Sequence, residues 1–389
     1  MTSQLPAPAV STVLAAALAE EDRAALADAL RQMLAERHDF ARRRAQLAVA
    51  ADVRPAIFDD LVGLGLNGLL LPEEFGGVGG GLADLQGVLR ECGRALVVAP
   101  WTDTVLASCA LLIAGSAAQQ AAWLPGIASG AHAFALAHED AAGLGAAPAA
   151  TVARRQADGS WSIDGVKAAV AHAASVSHYL VAARLPVVAG AGIATGWFRV
   201  AARQTGIAAA CTRMVDGSWC ADLRLSGATA ELLGEPGACS DLSGVLEALV
   251  VACATAEAVG LAEAALELTV QYLRTRKQFG QVLGDYQALR HRVAEMAILL
   301  EQARSGAELA LEAARDESPV ARARLLAQAQ LVSAEAVTWI TQQGIQLHGG
   351  MGMTDEMAIG HYYRRMLVLN ARSGGAQQAL ARLAALPPA

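Results

Sequence analysis

The sequence predicts a mainly α-helical protein interrupted by a central β domain. The expected order is an N-terminal helical domain at 1–131, a small antiparallel β domain at 132–238 and an antiparallel four-helix bundle at 239–389. Three observations predict this. Hydrophobic residues make up 54% of the 389 residues but aromatics only 4%, so Ala, Leu and Val must build the core, and Ala and Leu favour helix. From 132 to about 237 the pattern changes to short runs with β-branched and aromatic residues, separated by turn signals. From 239 the helical period returns and lasts to the end, in long runs joined by short connections.

The elements follow in order. Residues 11–50 read as amphipathic helices, and 55–70 continue helically into the glycine-punctuated LGLNGLLLPEEFGGVGGG. Leu82, Leu85, Val88, Leu89 and Cys92 recur at three- and four-residue spacing, predicting a helix from Leu82 to Leu96. Two shorter helices fit 102–130, with Pro125 and Gly126 helping to close the section. In ATVARRQADGSWSIDGVKAAV, the DG pairs at 158–159 and 164–165 are hairpin signals, and SHYLVAARLP, GWFRVA and CADLRLSG read as further strands. In the bundle, Leu242, Val245, Leu246, Leu249, Val250 and Cys253 mark one face of a long helix. A second helix is expected over 286–315, ended by DESP, a third over 319–343 stopping at Gly344, and a fourth over 355–370.

Composition narrows the function. The net charge is −7 with no block of like charges, which argues against nucleic acid, and Arg42, Arg43 and Arg44 read as a solvated helix face. Cys92, Cys109, Cys211, Cys220, Cys239 and Cys253 form no CxxC pair or Cys/His cluster, so reduced structural thiols and no metal are expected. The apolar stretch 245–262 contains Glu247 and Glu257 and reads as a buried helix, not a membrane span. MTSQLPAPAV lacks a basic region before an apolar core, and a cytoplasmic location is expected.

Two segments carry the chemistry: QYLRTRKQFGQVLGDYQALRHRVAE at 271–295 and QGIQLHGGMGMTDEMAIGHYYRR at 343–365. Each places Arg or Gln, a bulky apolar residue and glycine at the end of a helical run. Guanidinium forks suit pyrophosphate, and glycine lets main-chain N–H groups approach a phosphate closely. Singly, each residue has a plainer reading. Arg276 would offset a helix C-terminal dipole, Gly349 and Gly350 would stop a helix, and Phe279 would be core.

Taken together and in order, these segments closely resemble those of the acyl-CoA dehydrogenase family, as does LPEEFGGVGGG followed by RECGRAL. The resemblance covers nearly the whole chain and implies a middle β-barrel between helical domains. It implies FAD as cofactor, with part of each FAD site supplied by a neighbouring subunit through the two C-terminal motifs. Matched by motif, Arg276, Gln278, Phe279 and Gln287 come from the first, and Gln346, Leu347, Gly349 and Gly350 from the second. The implied reaction is α,β-desaturation of an acyl-CoA thioester: a Glu takes the α-proton and hydride leaves the β-carbon. An electron acceptor such as electron-transfer flavoprotein is the implied redox partner.

The chain departs from that pattern at several points. Ser373, in LVLNARSGGAQQ, stands where the family's usual Glu base is found. The alternative base position, on the first bundle helix, falls on Val250, with Glu247 three residues away as the nearby acidic candidate. In AFALAHEDAAGLGAAP, Ala137 and His138 replace Thr and Glu, and Ala169, Val170 and Ala171 replace the Trp-Ile-Thr strand that flanks the flavin. His138 and His172 are conceivable replacements. Elements serving a neighbour's FAD are kept while those serving its own flavin and base are altered. This asymmetry, with HYYRR at 361–365, resembles the small subunit of heteromeric bacterial acyl-CoA dehydrogenases of steroid side-chain and dicarboxylate breakdown, which work beside a larger homologous subunit. An autonomous homo-oligomeric flavoenzyme with a displaced base and a cofactor-free assembly partner are the competing expectations.

Overall fold

The computed structural model describes residues 14, 16–141, 151–186, 194–235 and 241–387. Its helices of seven residues or more, in chain order, are α1 (Glu20–Arg37), α2 (Phe40–Gln46), α3 (Ala56–Gly63), α4 (Leu82–Arg94), α5 (Trp101–Ala114), α6 (Ala117–Ala128), α7 (Leu242–Thr275), α8 (Gln287–Arg315), α9 (Pro319–His348), α10 (Ala358–Ser373) and α11 (Gly375–Ala385). The strands are β1 (Phe134–Ala137), β2 (Val152–Arg155), β3 (Trp161–Ala171), β4 (His178–Arg184), β5 (Thr195–Ala201), β6 (Ile207–Arg213) and β7 (Trp219–Leu232), with a small hairpin of β8 (Lys277–Gln278) and β9 (Gln281–Val282). The architecture is therefore the expected one, helices before and after a central β region. Two compact units divide it. One comprises Met1–Leu18, Ala45–Gly81 and Val98–Leu246, and the other Ala19–Arg44, Leu82–Val97 and Glu247–Ala389.

In the first unit, β4 is the organising strand. β5 pairs along one edge, antiparallel, while β1 and β2 share the other edge, both parallel. β2 continues to β3, β3 to β7 and β7 back to β5, so five strands close into a barrel, with β6 added on β7. The parallel pairs depart from the all-antiparallel expectation. β1 and β4 are not consecutive in the chain, so no hairpin forces them antiparallel. The two DG pairs behave differently. At 158–159, Asp158 accepts from Ser160 N and Oγ inside the β2–β3 turn, with Gly159 at φ +85°. At 164–165 the strand runs on through a register shift, and a Cβ on Gly165 would lie 2.5 Å from Thr151 Oγ1. That glycine serves a β-bulge, not a turn. Pro125 likewise sits inside α6, which starts at a Ser116–Gln119 capping box and ends at Ser129.

The second unit is a bundle built around α7, a 34-residue helix. α4 crosses it backbone to backbone: a Cβ on Gly93 would lie 2.1 Å from Glu257 O, and one on Gly260 only 1.9 Å from Arg90 O. Beside the crossing, the buried Glu263 carboxylate holds Arg90 at 2.6 Å, Arg94 at 3.3 Å and Arg304 at 2.8 Å. Burial would raise its pKa, but the bonds from Arg90 and Arg304 outweigh that and hold it below the usual carboxylate range. α8 and α9 are antiparallel neighbours, and the DESP connection ends with Ser318 capping α9 ahead of Pro319. α9 runs five residues beyond 343. Gly344 is not a stop but a contact, where a Cβ would strike Ile359 Cδ1 at 2.5 Å. The stop is Gly349, at φ +59° and ψ −140°, a region open only to glycine. A further helix, α11, follows α10 across Gly374 and Gly375, both at positive φ.

Arg43 corrects the reading of its neighbours as a solvated face. It is 2% exposed, and its guanidinium donates to Leu96 O at 3.1 Å and to His361 Nδ1 at 2.7 Å. His361 must therefore be neutral, with its proton on Nε2 facing Asp355. Arg365 and Glu257 form a second buried pair at 2.6 Å.

Two predictions follow from this packing. Gly93→Ala or Gly260→Ala should cost about 1–3 kcal/mol and lower the melting temperature, whereas Gly87→Ala, with open space around it, should not. Equal melting of all three would refute the close crossing. The second concerns pH. Burial first, then nearby arginines, push His178 and His361 down to about 4. The unfolded chain, with histidine near 6.5, takes up protons first as pH falls. Stability should be complete above about 6.5 and fall between about 6.5 and 4. Asp140, Glu263 and Asp355, held below their usual range, add losses only as pH drops below about 4. Urea midpoints at pH 7 and pH 5 should therefore differ, and His361→Gln should reduce the difference. An unchanged midpoint would contradict it.

Candidate functional site

The residues of the first motif lie on the connection from α7 to α8. Leu283 N donates to Arg276 O at 2.9 Å, and β8 pairs with β9 around a two-residue turn, Phe279–Gly280. Both turn residues have positive φ, +54° and +88°, the geometry of a tight hairpin turn. Glycine takes this at no cost, but for phenylalanine it costs about 1–3 kcal/mol. Phe279 is also 89% exposed, so the strain gains no burial. The Tyr286 hydroxyl donates to Gln278 O and Phe279 O at 3.3 and 3.1 Å, bracing the turn. Arg276, Gln278 and Gln287 are exposed. The Gln278 side chain donates to Lys277 O at 2.9 Å, whereas Arg276 has no side-chain partner among the described residues.

The second motif ends α9. Gln346 is exposed, Leu347 is buried in the bundle core, and Gly349 and Gly350 are exposed with nothing within 4 Å of a built Cβ. α8 begins where α9 ends, so the two motifs meet at one end of the bundle. Arg292 of α8 donates to Gln343 Oε1 of α9 at 2.6 Å, and Tyr272 of α7 stacks on His348 at 4.4 Å. Sequence reasoning missed this stack, although a histidine directly before two glycines was its available signal. His348 donates from Nδ1 to Gly344 O, and burial lowers its pKa, so the ring is neutral.

The candidates for a base lie elsewhere. Glu247 is half-exposed near the start of α7 and pairs with Arg382 of α11 at 2.6 Å. Twenty-nine residues of helical rise put it about 43 Å from Arg276 along α7. Val250 is half-buried on the same helix. Ser373 closes α10. Its hydroxyl donates back to Leu369 O at 2.9 Å and its carbonyl accepts from Gln330 Nε2. The bundle thus gathers Arg276, Gln278, Phe279, Gln287, Gln346, Gly349 and Gly350 at one end, and does not bring Glu247 to them.

In the β domain, Ala137 ends β1 and His138 faces Glu139 at 3.6 Å. Lys167, which sequence reasoning passed over, clamps this segment to β3. Its ammonium, 2% exposed, donates to His138 O at 3.0 Å and to Asp140 Oδ1 at 2.7 Å. Burial pushes Lys167 below its ordinary pKa, with Asp140 opposing. Ala169 sits at φ +48° in a bulge, its N–H donating to Asp222 at 2.8 Å, and His172 is buried at φ +56°. Residues 142–148, the remainder of the AFALAHEDAAGLGAAP run, lie outside the described residues.

These donors can be tested against a dinucleotide. At the bundle end the chemistry fits: an unpaired guanidinium, exposed amides, an exposed aromatic face and main-chain N–H groups open to close approach. The β-domain segments fit a flavin ring less well. Ala137, Ala169 and Ala171 offer no side-chain donor, and the Lys167 ammonium is already engaged.

Comparisons with known proteins bear on the family. Residues 20–131 match the family profile of the acyl-CoA dehydrogenase N-terminal domain, and 251–385 that of the C-terminal domain. Acyl-CoA dehydrogenase IpdE2 of Mycobacterium tuberculosis is 32% identical over 303 residues, covering 78% of this chain and 77% of its own. The human mitochondrial short-chain specific enzyme is 30% identical over 315 residues, 78% of this chain and 75% of its own. Among solved structures, a variant of the Tcur3481–Tcur3483 steroid ACAD superposes with a TM-score of 0.83 at 28% identity, covering 94% and 97% of the two chains. The ChsE4–ChsE5 complex from Mycobacterium tuberculosis, at 23% identity, shares the fold with the same score over 95% and 99%. The family binds FAD, and its reaction oxidises a CH–CH bond. On its motifs, its fold and these relatives together, the chain belongs to the acyl-CoA dehydrogenase family.

Proposed function

We propose that this chain is the base-lacking subunit of a heteromeric FAD-dependent acyl-CoA dehydrogenase, in which it completes the FAD site of a larger homologous subunit. The observation that carries this reading is the hairpin at Phe279. A large aromatic in a strained conformation, almost fully exposed beside an unpaired Arg276, makes sense as a contact for something outside the chain. The similarity to an ACAD named for two chains, Tcur3481–Tcur3483, supports the heteromeric form.

In this reading Arg276 grips pyrophosphate with a charge-assisted fork, Phe279 covers an aromatic face, and the Gly349–Gly350 turn presents main-chain N–H groups. Gln278, Gln287 and Gln346 add amide contacts. FAD, when bound, supplies the hydride acceptor for acyl-CoA oxidation. Proton abstraction falls to the partner, because the Ser373 hydroxyl is a poor base turned back on its own helix and Glu247 is held by Arg382. Electrons leave through an acceptor such as electron-transfer flavoprotein, and a cytoplasmic setting suits these soluble substrates.

Purified alone, the chain should show little acyl-CoA dehydrogenation with an added electron acceptor. Co-expressed with a larger homologue that keeps the Glu base, it should yield an active yellow complex. Full activity and a stoichiometric flavin absorbance from the isolated chain would instead establish an autonomous enzyme. Within the complex, Arg276→Ala should weaken flavin retention about tenfold or more, the loss of a charged hydrogen bond. Unchanged flavin content would point to a cofactor-free assembly role. Ser373→Ala should leave the turnover of the complex within about threefold, less than the 10²–10⁴ that a general base contributes. A hundredfold loss would give Ser373 a chemical role.

A further inference from the structure

The α7–α8 connection encloses a second feature that the dinucleotide contacts do not use. Between the last turns of α7 and the first turns of α8 lies a cleft of about 520 Å³, within the range of small-molecule sites. Val270, Leu273 and Arg274 face it from α7 at i, i+3 and i+4, and Arg290 and Val293 face it from α8 at i, i+3. Val282 and the turn at Gly284 form its roof. That turn is held by Leu283 N donating to Arg276 O at 2.9 Å and by Arg290 donating to Gly284 O at 2.5 Å. The walls are braced and mixed: Leu273, buried, and three half-buried valines alternate with the charged side chains of Arg274, Asp285 and Arg290.

The rim is cationic in a chain whose net charge is −7. Arg290 is paired with the one acidic residue lining the cleft, Asp285, at 3.1 Å. Arg274 has no hydrogen-bond or ion-pair partner for its guanidinium among the described residues, and Arg276 and Lys277 follow it in the same condition. An arginine in the last turn offsets the helix dipole wherever it points. This one also lines the cleft beside four aliphatic side chains, and among the described residues no carboxylate pairs with it, Asp285 being held by Arg290.

We propose that this cleft binds an amphipathic anion: a carboxylate held by Arg274, carrying an unbranched aliphatic chain that lies along Val270, Leu273, Val282 and Val293. The site takes the free acid, with no thioester chemistry, and it stands whether or not the chain works with a partner.

Octanoate is the probe, titrated calorimetrically into the purified full-length chain. Saturable binding is expected. Acetate, with the head but no chain, and octanol, with the chain but no charge, should each bind at least about tenfold more weakly. Arg274→Gln, an exposed position, should weaken octanoate by about tenfold, and Val293→Trp should abolish binding by filling the cleft. Unchanged melting of the Arg274 variant would show that the loss is local. The proposal is overturned if octanoate gives no saturable heat, if octanol binds as tightly as octanoate, or if the Val293 variant binds like the parent chain.

Discussion

The second unit depends on how closely α4 and α7 approach at Gly93 and Gly260. With no Cβ on either side, the helices meet main chain to main chain. The adjacent Glu263 carboxylate, nearly inaccessible yet shared by three guanidiniums, is tolerable only because the crossing brings Arg90 and Arg94 of α4 to it while Arg304 arrives from α8. One carboxylate thereby ties three helices, and the direction of α7 is set.

That direction decides which groups stand together. A single rigid helix carries Glu247 near one end and delivers the Arg276–Phe279 hairpin at the other. Helical rise separates them by about 43 Å, so the two do not meet along α7. The groups suited to a nucleotide are thus committed to one end of the bundle, while the positions where a base would stand, Ser373 and Val250, are neutral.

Much of this was legible in the sequence because it rests on local chemistry. The helical period of 242–253, the cap at DESP and the turn at Asp158–Gly159 depend on residues a few positions apart. The two motifs that place the chain in its family were legible too, since each is contiguous. Failures came where a residue answers to a distant one. Gly344 read as a helix stop because the methyl group of Ile359 that requires it comes from another helix. Asp164–Gly165 read as a hairpin because Thr151, which crowds it, lies across the β2–β3 turn at the neighbouring strand's start. Arg43 read as solvated because its acceptors, Leu96 O and His361, lie 53 and 318 positions away. Lys167 drew no attention at all, since only the fold brings Asp140 to it.

By itself, then, the sequence determined the class of the elements and the two motifs that carry the family resemblance, because periodicity and motif chemistry are short-range properties. Only the tertiary structure decided where those groups stand. It placed the two motifs at the same bundle end, set Phe279 into solvent at a strained φ, turned Ser373 back upon its helix and opened the valine-lined cleft under Arg274. The meeting of the two motifs depends on helices that are distant in the chain being held at fixed angles, and packing, not local propensity, sets those angles.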